Sequence, residues 1–302
     1  MMLLPFVWLA AAGTPTVPDP RVFEATGAAA RGDLGALADL ERLCTAGDGL
    51  ACGNLASVLQ KGAGGDARRA EVAALEERSC SLGWALGCAD LGYMLVRGIG
   101  VPADPTRGYQ LTEKACSMGY LASCGEAGEL LFDGVGVEAS HPQALAYFQR
   151  ACAGDKPGTF APKYCTKLGA MYESGIATPI DLARAEALLT LACDAGEHPA
   201  CERIPRVVAL RGDRARAWDL AEQYCQRDVA AACAWSGVAS LAGKGVPKDV
   251  EAASRRLHRG CDLGDRTACY AAGLAFQELG RADNAARHLK KACELGEPAA
   301  CP

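Results

Sequence analysis

The sequence predicts an all-α protein, a right-handed α/α solenoid of helix-turn-helix repeats cross-linked by intra-chain disulfides. Three observations predict it. Cysteine pairs recur through the chain of 302 residues, and four of the seven steps between successive pairs are 36 residues. Glycine-rich turns recur between the pairs, and helix-forming segments flank each turn. A fixed period of this length is typical of solenoids, because one helix pair can bury its apolar face only against the next repeat.

All 16 cysteines belong to these pairs, and seven of the eight pairs are separated by eight residues. The pairs are Cys44/Cys52, Cys80/Cys88, Cys116/Cys124, Cys152/Cys165, Cys193/Cys201, Cys225/Cys233, Cys261/Cys269 and Cys293/Cys301. Disulfides and metal binding are the two chemistries that fit such a pattern. The closely spaced ligands of zinc sites, such as Cys-x2-Cys, are absent from the sequence, and its four histidines follow no cysteine register. The spacing therefore favours eight sequential disulfides, with metal binding as the alternative.

Residues 1–20 are predicted to be a signal peptide and spacer. An apolar run at residues 3–12 ends in small residues and precedes a proline-rich stretch, with cleavage expected near Ala12 to Thr14. The run lacks a basic flank, so an ordinary apolar N-terminus or a misassigned start is the alternative. It is too short for a stable membrane anchor. Because paired cysteines persist in oxidising compartments, they independently predict an exported protein, periplasmic or secreted.

Residues 21–302 are predicted to form a single solenoid. A degenerate first repeat covers 21–51, with two short helices separated by Arg31-Gly32-Asp33, and seven repeats that open with a cysteine cover 52–301. In each of these, the second cysteine of a pair is predicted to open helix A. A turn and helix B follow, and helix B ends at the next pair.

Glycine marks both connections of the repeat. Gly-x-Gly-Val turns follow helix A at 98–101, 134–137 and 243–246, and a glycine stands three residues after the first cysteine in six of eight pairs. Asp228 and the displaced Gly154 are the exceptions. Glycine at these positions predicts a left-handed backbone conformation. The starts of B helices are predicted from a cap or a proline at Asp104-Pro105, at Ser140 ahead of Pro142, and at Thr178-Pro179.

The pattern Leu91-Gly92, then 98–101, then Lys114-Ala115 resembles the Sel-like repeat, a relative of the tetratricopeptide repeat. It recurs at Ala127-Gly128 and Leu168-Gly169 in the same register. The added cysteine pairs are similar to those of cysteine-rich bacterial Sel-like proteins, a family often labelled β-lactamase-like. The resemblance covers about residues 40 to 302, although the units at 201–225 and 269–293 lack the Gly-x-Gly-Val turn and are closer to plain tetratricopeptide repeats.

That family label implies chemistry on penicillins, for which the sequence carries no known motif. Ser-x-x-Lys, Gly-x-Ser-x-Gly, Lys-Thr-Gly, His-x-His-x-Asp and His-Glu-x-x-His are all absent. The four histidines, for which a surface or turn position is the simplest expectation, are His141, His198, His258 and His288. We therefore predict no catalytic residue, cofactor or metal ligand, and a β-lactam-binding or weakly hydrolysing enzyme stays the alternative on the resemblance alone.

A net charge of −5 without a polybasic stretch argues against nucleic acid as a partner.

Positions two, five and nine after the cysteine that opens helix A share one helical face. In three successive repeats these positions hold Asp90, Tyr93 and Arg97; Glu126, Glu129 and Asp133; and Lys167, Ala170 and Ser174. This polar line predicts a ligand groove with an acidic middle on the concave face, suited to a basic peptide or an amine. The alternative is a solvated helix face. The insertion at 154–160 is either a lip of this groove or an ordinary loop. The predicted function is an exported scaffold that binds a peptide or protein partner.

Overall fold

A computed structural model of the chain describes residues 19–62, 65–153 and 161–301. These residues form 16 α-helices and two short 3-10 helices, and no strand is found among them. The predicted all-α fold of helix-turn-helix repeats is confirmed. Residues 1–18, which hold almost all of the predicted signal peptide, and the insertion at 154–160 lie outside the described residues. The α-helices are α1 Pro20–Ala30, α2 Leu34–Thr45, α3 Gly49–Lys61, α4 Arg69–Ser81, α5 Ala85–Arg97, α6 Pro105–Ser117, α7 Leu121–Asp133, α8 His141–Cys152, α9 Pro162–Ser174, α10 Leu182–Asp194, α11 His198–Leu210, α12 Arg214–Gln226, α13 Ala230–Ala242, α14 Val250–Asp262, α15 Arg266–Glu278 and α16 Ala282–Glu294.

Helices α1 and α2 are the two short helices expected at the start of the chain. From α3 onward, the odd-numbered helices are the A helices and the even-numbered ones the B helices. The prediction that the second cysteine of a pair opens helix A is wrong by one turn, because each A helix begins three residues earlier. The correction applies to the starts predicted at Cys52, Cys88, Cys124, Cys165, Cys201, Cys233 and Cys269.

Aspartate caps explain the earlier start at two of these positions. Ahead of Cys52, Asp48 accepts a hydrogen bond from the backbone N–H of Ala51 at 2.9 Å. Ahead of Cys269, Asp265 accepts from the corresponding N–H of α15 at 2.7 Å. A cap satisfies a backbone N–H that has no partner within the helix, so the helix begins directly after the aspartate.

Other A helices begin early without a side-chain cap. A proline lies in the first turn of α9, ahead of Cys165, and of α11, ahead of Cys201. Proline suits this position because its fixed φ is helical and it lacks the N–H that would have no partner. In α5, the N–H of Cys88 donates to the carbonyl oxygen of Trp84 at 3.4 Å, so this cysteine already lies inside the helix. The second cysteine of each of these pairs therefore lies in the first turn of its A helix rather than at its boundary.

The chain divides into two compact units. The first contains the described residues up to Ser123 together with 135–137, and the second contains 124–134 and the described residues from 138 onward. The core of the first unit is built from α1 to α5 and includes Val22, Leu40, Leu55 and Leu95. A core cluster of the second unit is mostly alanine, with Leu257 and Phe276 as its large members. The single solenoid over 21–302 stays a prediction.

The cysteine pairs are disulfides. Seven bridges have Cα–Cα distances from 4.4 to 5.0 Å, and they are Cys44–Cys52, Cys80–Cys88, Cys152–Cys165, Cys193–Cys201, Cys225–Cys233, Cys261–Cys269 and Cys293–Cys301. Cys116 and Cys124 are disulfide-bonded as well, and no cysteine of the described ranges is free. Closing a loop of about nine residues stabilises by roughly 2.5 kcal/mol in the chain-entropy model. The disulfide alternative is therefore correct, and metal binding by these cysteines is excluded.

Most of the bridges belong to the interior of the helix array. Cys88, Cys165 and Cys269 are fully buried, and Cys201 is 2% exposed. Their sulfur atoms are therefore out of reach of a ligand at the surface. Apart from Cys293–Cys301, each bridge joins the end of one helix to the first turn of the next, so these cysteines hold the repeats together.

The left-handed turns are confirmed, including one that lacks glycine. Gly136, the second glycine of its turn, has a φ of 73°, and a Cβ there would lie 2.1 Å from the carbonyl oxygen of Pro105. Glycine is therefore required at this position for two reasons: the positive φ, and the close contact that a Cβ would make. Asp228 stands where other repeats have glycine and still adopts a φ of 63°. The repeat geometry therefore fixes the backbone, and aspartate is one of the residues that tolerate it.

Four B helices, α6, α10, α12 and α14, begin at an aspartate cap, and α10 begins further along the chain than predicted. Asp104 caps α6 by accepting from the N–H of Arg107 at 3.0 Å, as expected. Ser140 precedes α8 without a side-chain hydrogen bond to the helix. The start expected at Thr178-Pro179 is wrong, because α10 begins at Leu182 after Asp181. Asp181 accepts from the N–H of Arg184 at 2.9 Å and so provides the cap that the proline does not.

Candidate functional site

The predicted polar line of the first unit lies on the surface of α5. Asp90, Tyr93 and Arg97 are all exposed. The guanidinium carbon of Arg97 lies 4.8 Å from the centre of the Tyr93 ring, a cation–π arrangement on the helix surface. Although Asp90 is an exposed residue, neighbouring protein atoms partly desolvate its carboxyl and raise the pKa of Asp90 above the ordinary value.

A buried carboxyl near Asp90 escaped the sequence reasoning. Glu76 of α4 is only 3% exposed. Its Oε2 atom has no hydrogen-bond partner among the described residues. Burial, and then the charge of Asp90, raise the pKa of Glu76 to about 9. Glu76 is therefore a neutral acid at pH 7, and no sequence pattern distinguished it from the exposed Glu77 beside it.

In the second unit, the predicted acidic residues include one that is paired with lysines. The Nζ atoms of Lys163 and Lys167 lie 2.8 and 2.9 Å from Oε1 of Glu129. Burial raises the pKa of Glu129, but the hydrogen bonds from the two lysines outweigh it and lower that pKa overall. Of the other two acidic residues, Glu126 is half-buried and Asp133 exposed. The two lysines therefore offset part of the negative charge in the middle of the predicted groove. The role of this region in binding stays a prediction.

A second ion-pair cluster links the next two A helices, α9 and α11. The Glu173 side chain is 1% exposed, and the terminal nitrogens of Arg203 and Arg206 each lie 2.7 Å from one of its carboxylate oxygens. Ser174 donates to the backbone carbonyl of Ala170 at 2.7 Å, so its hydroxyl is used within its own helix. We call the six charged residues that join α7, α9 and α11 the ion-pair ladder. They are Glu129, Lys163, Lys167, Glu173, Arg203 and Arg206.

The same register becomes apolar on α13. Trp235 and Val238 stand two and five residues after Cys233, the positions that Lys167 and Ala170 hold on α9. They line an open pocket of about 440 Å³. This lies within the range of roughly 300–1,000 Å³ that is usual for ligand sites. We call it the Trp235 pocket, and its lining residues are Ala209, Arg214, Ala231, Ala234, Trp235, Val238, Ala239, Lys244, Asp265 and Thr267.

The wall of the pocket is held from behind by the B helices. The indole Nε1 of Trp218 on α12 donates to Oγ of Ser240 on α13 at 3.1 Å. On α14, Leu257 packs so closely that a Cβ at Gly237 would lie 2.5 Å from its Cγ. The Cys225–Cys233 disulfide fixes the first turn of α13. The Trp235 pocket is therefore preformed rather than assembled from mobile side chains.

Sequence reasoning missed this pocket although the signal was available. The predicted groove rested on the charged residues at positions two, five and nine of three repeats. Continued by two repeats, the same positions hold Trp235 and Val238, and one repeat later Leu274. Val238 and Leu274 are 39% and 40% exposed, so this face keeps apolar side chains in contact with solvent. A tryptophan in the polar register of a repeat was the pattern that would have located the site.

Neither a metal cluster nor a membrane segment is found in the described parts of the chain. No three His, Cys, Asp or Glu side chains there are grouped so that they could hold a metal ion. None of the described helices combines the length and the apolar content that crossing a membrane requires.

Two solved structures show the same fold. A protective antigen of uropathogenic Escherichia coli with an SLR fold is 21% identical, with a TM-score of 0.78 over 92% of this chain and 62% of its own. This chain therefore spans less than two thirds of that antigen's length. A Sel1 repeat protein from Oxalobacter formigenes is 17% identical, with a TM-score of 0.64 over 80% of this chain and 96% of its own. No curated protein matches.

The Sel1 repeat matches the chain at residues 85–120, 122–156, 162–197, 230–265 and 261–297. These stretches begin at or next to the start of an A helix, or at the disulfide before it, and extend through the following B helix. Together they cover more than half of the sequence. The sequence pattern, the disulfide-linked helix pairs and these five matches lead to one conclusion: the chain belongs to the Sel1 repeat family.

Proposed function

We propose that this protein is an exported scaffold that binds a protein or peptide partner through the A-helix face of its second unit. The observation that carries the proposal is the Trp235 pocket, an open apolar site on that face. Helical repeat scaffolds typically bind partners through stacked A helices, whereas their B helices pack outward. Exposed apolar groups rimmed by polar residues are typical of interaction sites.

Export is supported by the disulfides. A chain with eight cysteine pairs, all of them oxidised, is suited to an oxidising compartment. Its mostly alanine core in the second unit is poor in large apolar groups, so it gains much from covalent cross-links. Mass spectrometry of protein from the envelope or medium, alkylated without reduction, tests this. Alkylated cysteines in the exported protein would contradict it.

Site-specific photo-crosslinking tests the binding face. A benzoylphenylalanine at Val238 or Leu274, both exposed on A helices, is expected to trap the partner in the compartment where the protein resides. Matched controls are Leu263, exposed at the end of α14, and Arg255 on the same B helix. Crosslinks from the two control positions alone would overturn the proposal.

The acidic residues of the predicted groove belong to the same proposal. Reversing the charge at Glu126, Glu129 and Asp133 together is expected to weaken partner binding without loss of helicity. Since Glu129 pairs with Lys163 and Lys167, the single variant Glu129→Gln serves as a control for loss of those pairs. Unchanged affinity of the triple variant would assign these residues to a solvated face. The β-lactam alternative stays a sequence prediction, which a chromogenic cephalosporin assay tests.

A further inference from the structure

The Trp235 pocket carries two cationic side chains at one end. Arg214 opens α12, and Lys244 follows the last residue of α13 by two positions. The backbone next to Lys244 lies against Arg214, because a Cβ on Gly245 would lie only 2.8 Å from the Cβ of Arg214. Both cations therefore stand where α13 ends.

These two cations take no part in the ion pairs that surround them. Arg211 and Arg216, on either side of Arg214, both pair with Glu186. By contrast, Arg214 and Lys244 make no ion pair with any described residue. A pair of unpaired cations beside an apolar pocket favours a ligand that brings its own anion.

The opposite end of the pocket is acidic. Asp265 and Thr267 lie at the start of α15 and line the pocket there. Oδ1 of Asp265 accepts from the N–H of Ala268 at 2.7 Å as the helix cap. Burial, and then the Asp265 charge, raise the pKa of Glu202 on α11, although His198 opposes this. The rise indicates that two carboxyl groups influence each other at this end.

The apolar floor between the two ends has the length of a short peptide. It is formed on α13 from Ala231 to Ala239, with Trp235 at its centre. At the rise of an α-helix this stretch is about 12 Å long. An extended peptide covers that distance in about three to four residues.

We propose that the Trp235 pocket binds a short extended peptide segment in which an apolar side chain lies between a basic and an acidic residue. The apolar side chain packs on Trp235, the acidic residue faces Arg214 and Lys244, and the basic residue faces Asp265. This inference rests on the proposed function and names the chemistry of the partner segment. The order of charges, rather than apolar contact alone, distinguishes it from a non-specific apolar surface.

Four fluorescein-labelled peptides test the inference by anisotropy with the full, oxidised chain. The first places leucine between lysine and aspartate, each two residues away. The second replaces the leucine with alanine, the third has aspartate on both sides and the fourth has lysine on both sides. The mixed peptide is expected to bind about tenfold more tightly than the third and fourth, because each of these places a like charge against one end of the pocket. It is expected to bind about tenfold more tightly than the second as well, because alanine buries less apolar surface on Trp235 than leucine does.

Protein variants assign the binding to the pocket. The double variant Arg214→Glu and Lys244→Glu is expected to prefer the peptide with two lysines. Ala231→Phe fills the pocket without removing a core side chain and is expected to abolish binding of all four. Arg255→Glu on α14 is the matched control and is expected to retain the wild-type order. Circular dichroism checks that each variant is folded. Equal binding of the mixed and the doubly basic peptide by the wild type, or no change of preference in the double variant, would overturn the inference.

The result also separates this inference from the proposed function. Crosslinks to a partner from Val238 combined with no charge preference among the peptides would retain the binding face and reject the charge order. No binding of any peptide, with crosslinks only from Arg255 or Leu263, would reject both. Charge-ordered binding that Ala231→Phe abolishes, without partner crosslinks from the A helices, would retain the pocket chemistry and reject the proposed face.

Discussion

The ion-pair ladder and the Trp235 pocket occupy the same register of the second unit, on successive A helices, and yet they differ in chemistry. In the ladder, Glu173 is almost fully buried and satisfied by Arg203 and Arg206. In the pocket, Arg214 and Lys244 remain without an anion among the described residues, and Val238 remains exposed. A surface whose charges are already paired gains little binding free energy from a charged ligand. A surface with unpaired charges and exposed apolar groups gains more. The comparison favours a structural role for the ladder and supports the proposed binding role of the pocket.

The largest expected effect is on the ladder. Glu173→Ala removes three hydrogen bonds that two arginines donate to the carboxylate, and it is expected to lower the free energy of unfolding by about 2–3 kcal/mol. The arginines are partly exposed and can regain water, which limits the loss. Urea unfolding measures it. Peptide binding at the Trp235 pocket is expected to stay unchanged.

The matched control is an exposed pair elsewhere in the second unit. Glu278→Ala breaks the pair with Lys248, in which both side chains are about half exposed. The expected loss is below about 0.5 kcal/mol, because solvent screens such pairs. If Glu173→Ala cost no more than Glu278→Ala, the ladder would not be a stabilising element.

The next effect concerns the disulfide beneath the pocket. Replacing Cys225 and Cys233 with serine is expected to lower the free energy of unfolding by about 2.5 kcal/mol in the chain-entropy model. Because this bridge fixes the first turn of α13, the variant is also expected to bind peptides at the Trp235 pocket more weakly. The control is the Cys293–Cys301 bridge at the end of the chain, whose removal should loosen α16 and leave peptide binding intact. Equal loss of binding in both variants would contradict a local role.

Much of this architecture follows from the sequence because each repeat must satisfy the same local constraints. Paired cysteines and turn glycines predicted the disulfides and the left-handed turns, and even Asp228 adopts the glycine conformation. The exact helix starts were harder to predict from the sequence. The prediction used cysteine and proline as the boundary signals, whereas Asp48 and Asp181 cap the helices in the structure.

The candidate site was less predictable because it depends on which charges meet. Glu129 and Glu126 are alike in sequence, but the pairing of Glu129 with Lys163 arises only when α7 and α9 are packed together. In the same way, nothing in the sequence indicated that Arg214 would make no ion pair among the described residues while Arg211 and Arg216 both pair with Glu186. Trp235 was visible, but only a continued register would have selected it.

Glu76 is a buried carboxyl like Glu173, but its Oε2 atom has no hydrogen-bond partner among the described residues. The folded-state pKa of Glu76 is about 9, above the unfolded value of 4.5, so the folded state binds the extra proton. Stability contributed by this group is therefore lost as the pH rises from 4.5 to 9. Glu76→Gln cannot titrate and is expected to be more stable than the wild type at pH 8, with an advantage that shrinks to zero below about pH 4.5.

Urea unfolding at pH 4.5 and pH 8 measures this effect. Glu77→Gln is the matched control, since Glu77 is the next residue, exposed and paired with Arg107. It is expected to show the same dependence on pH as the wild type. A Glu76→Gln variant with the wild-type slope would indicate that Glu76 is ionised and solvated in the folded protein.

The smallest expected effect lies at the last repeat, where His288 of α16 is buried against Phe276 of α15. Its Nδ1 lies 2.7 Å from the carbonyl oxygen of Asn284, and its Nε2 lies 2.9 Å from Nδ1 of His258 on α14. Since the carbonyl can only accept, Nδ1 of His288 carries the proton and Nε2 accepts from His258. A proton added to Nε2 would set two N–H groups against each other.

Burial is the main cause that lowers the pKa of His288. The Asn284 carbonyl and Asp262 oppose it, while His258 and Arg287 add to it. A histidine whose folded pKa lies below its unfolded value near 6.5 loses its contribution to stability as the pH falls through that value. Unfolding of the wild type between pH 7.5 and pH 5 is therefore expected to show a modest loss of stability, which His288→Gln removes. His198→Gln, on the exposed start of α11, is the control and should keep the loss. If His288→Gln lost as much stability as the wild type over this range, the histidine pair would not be the group that responds to acid.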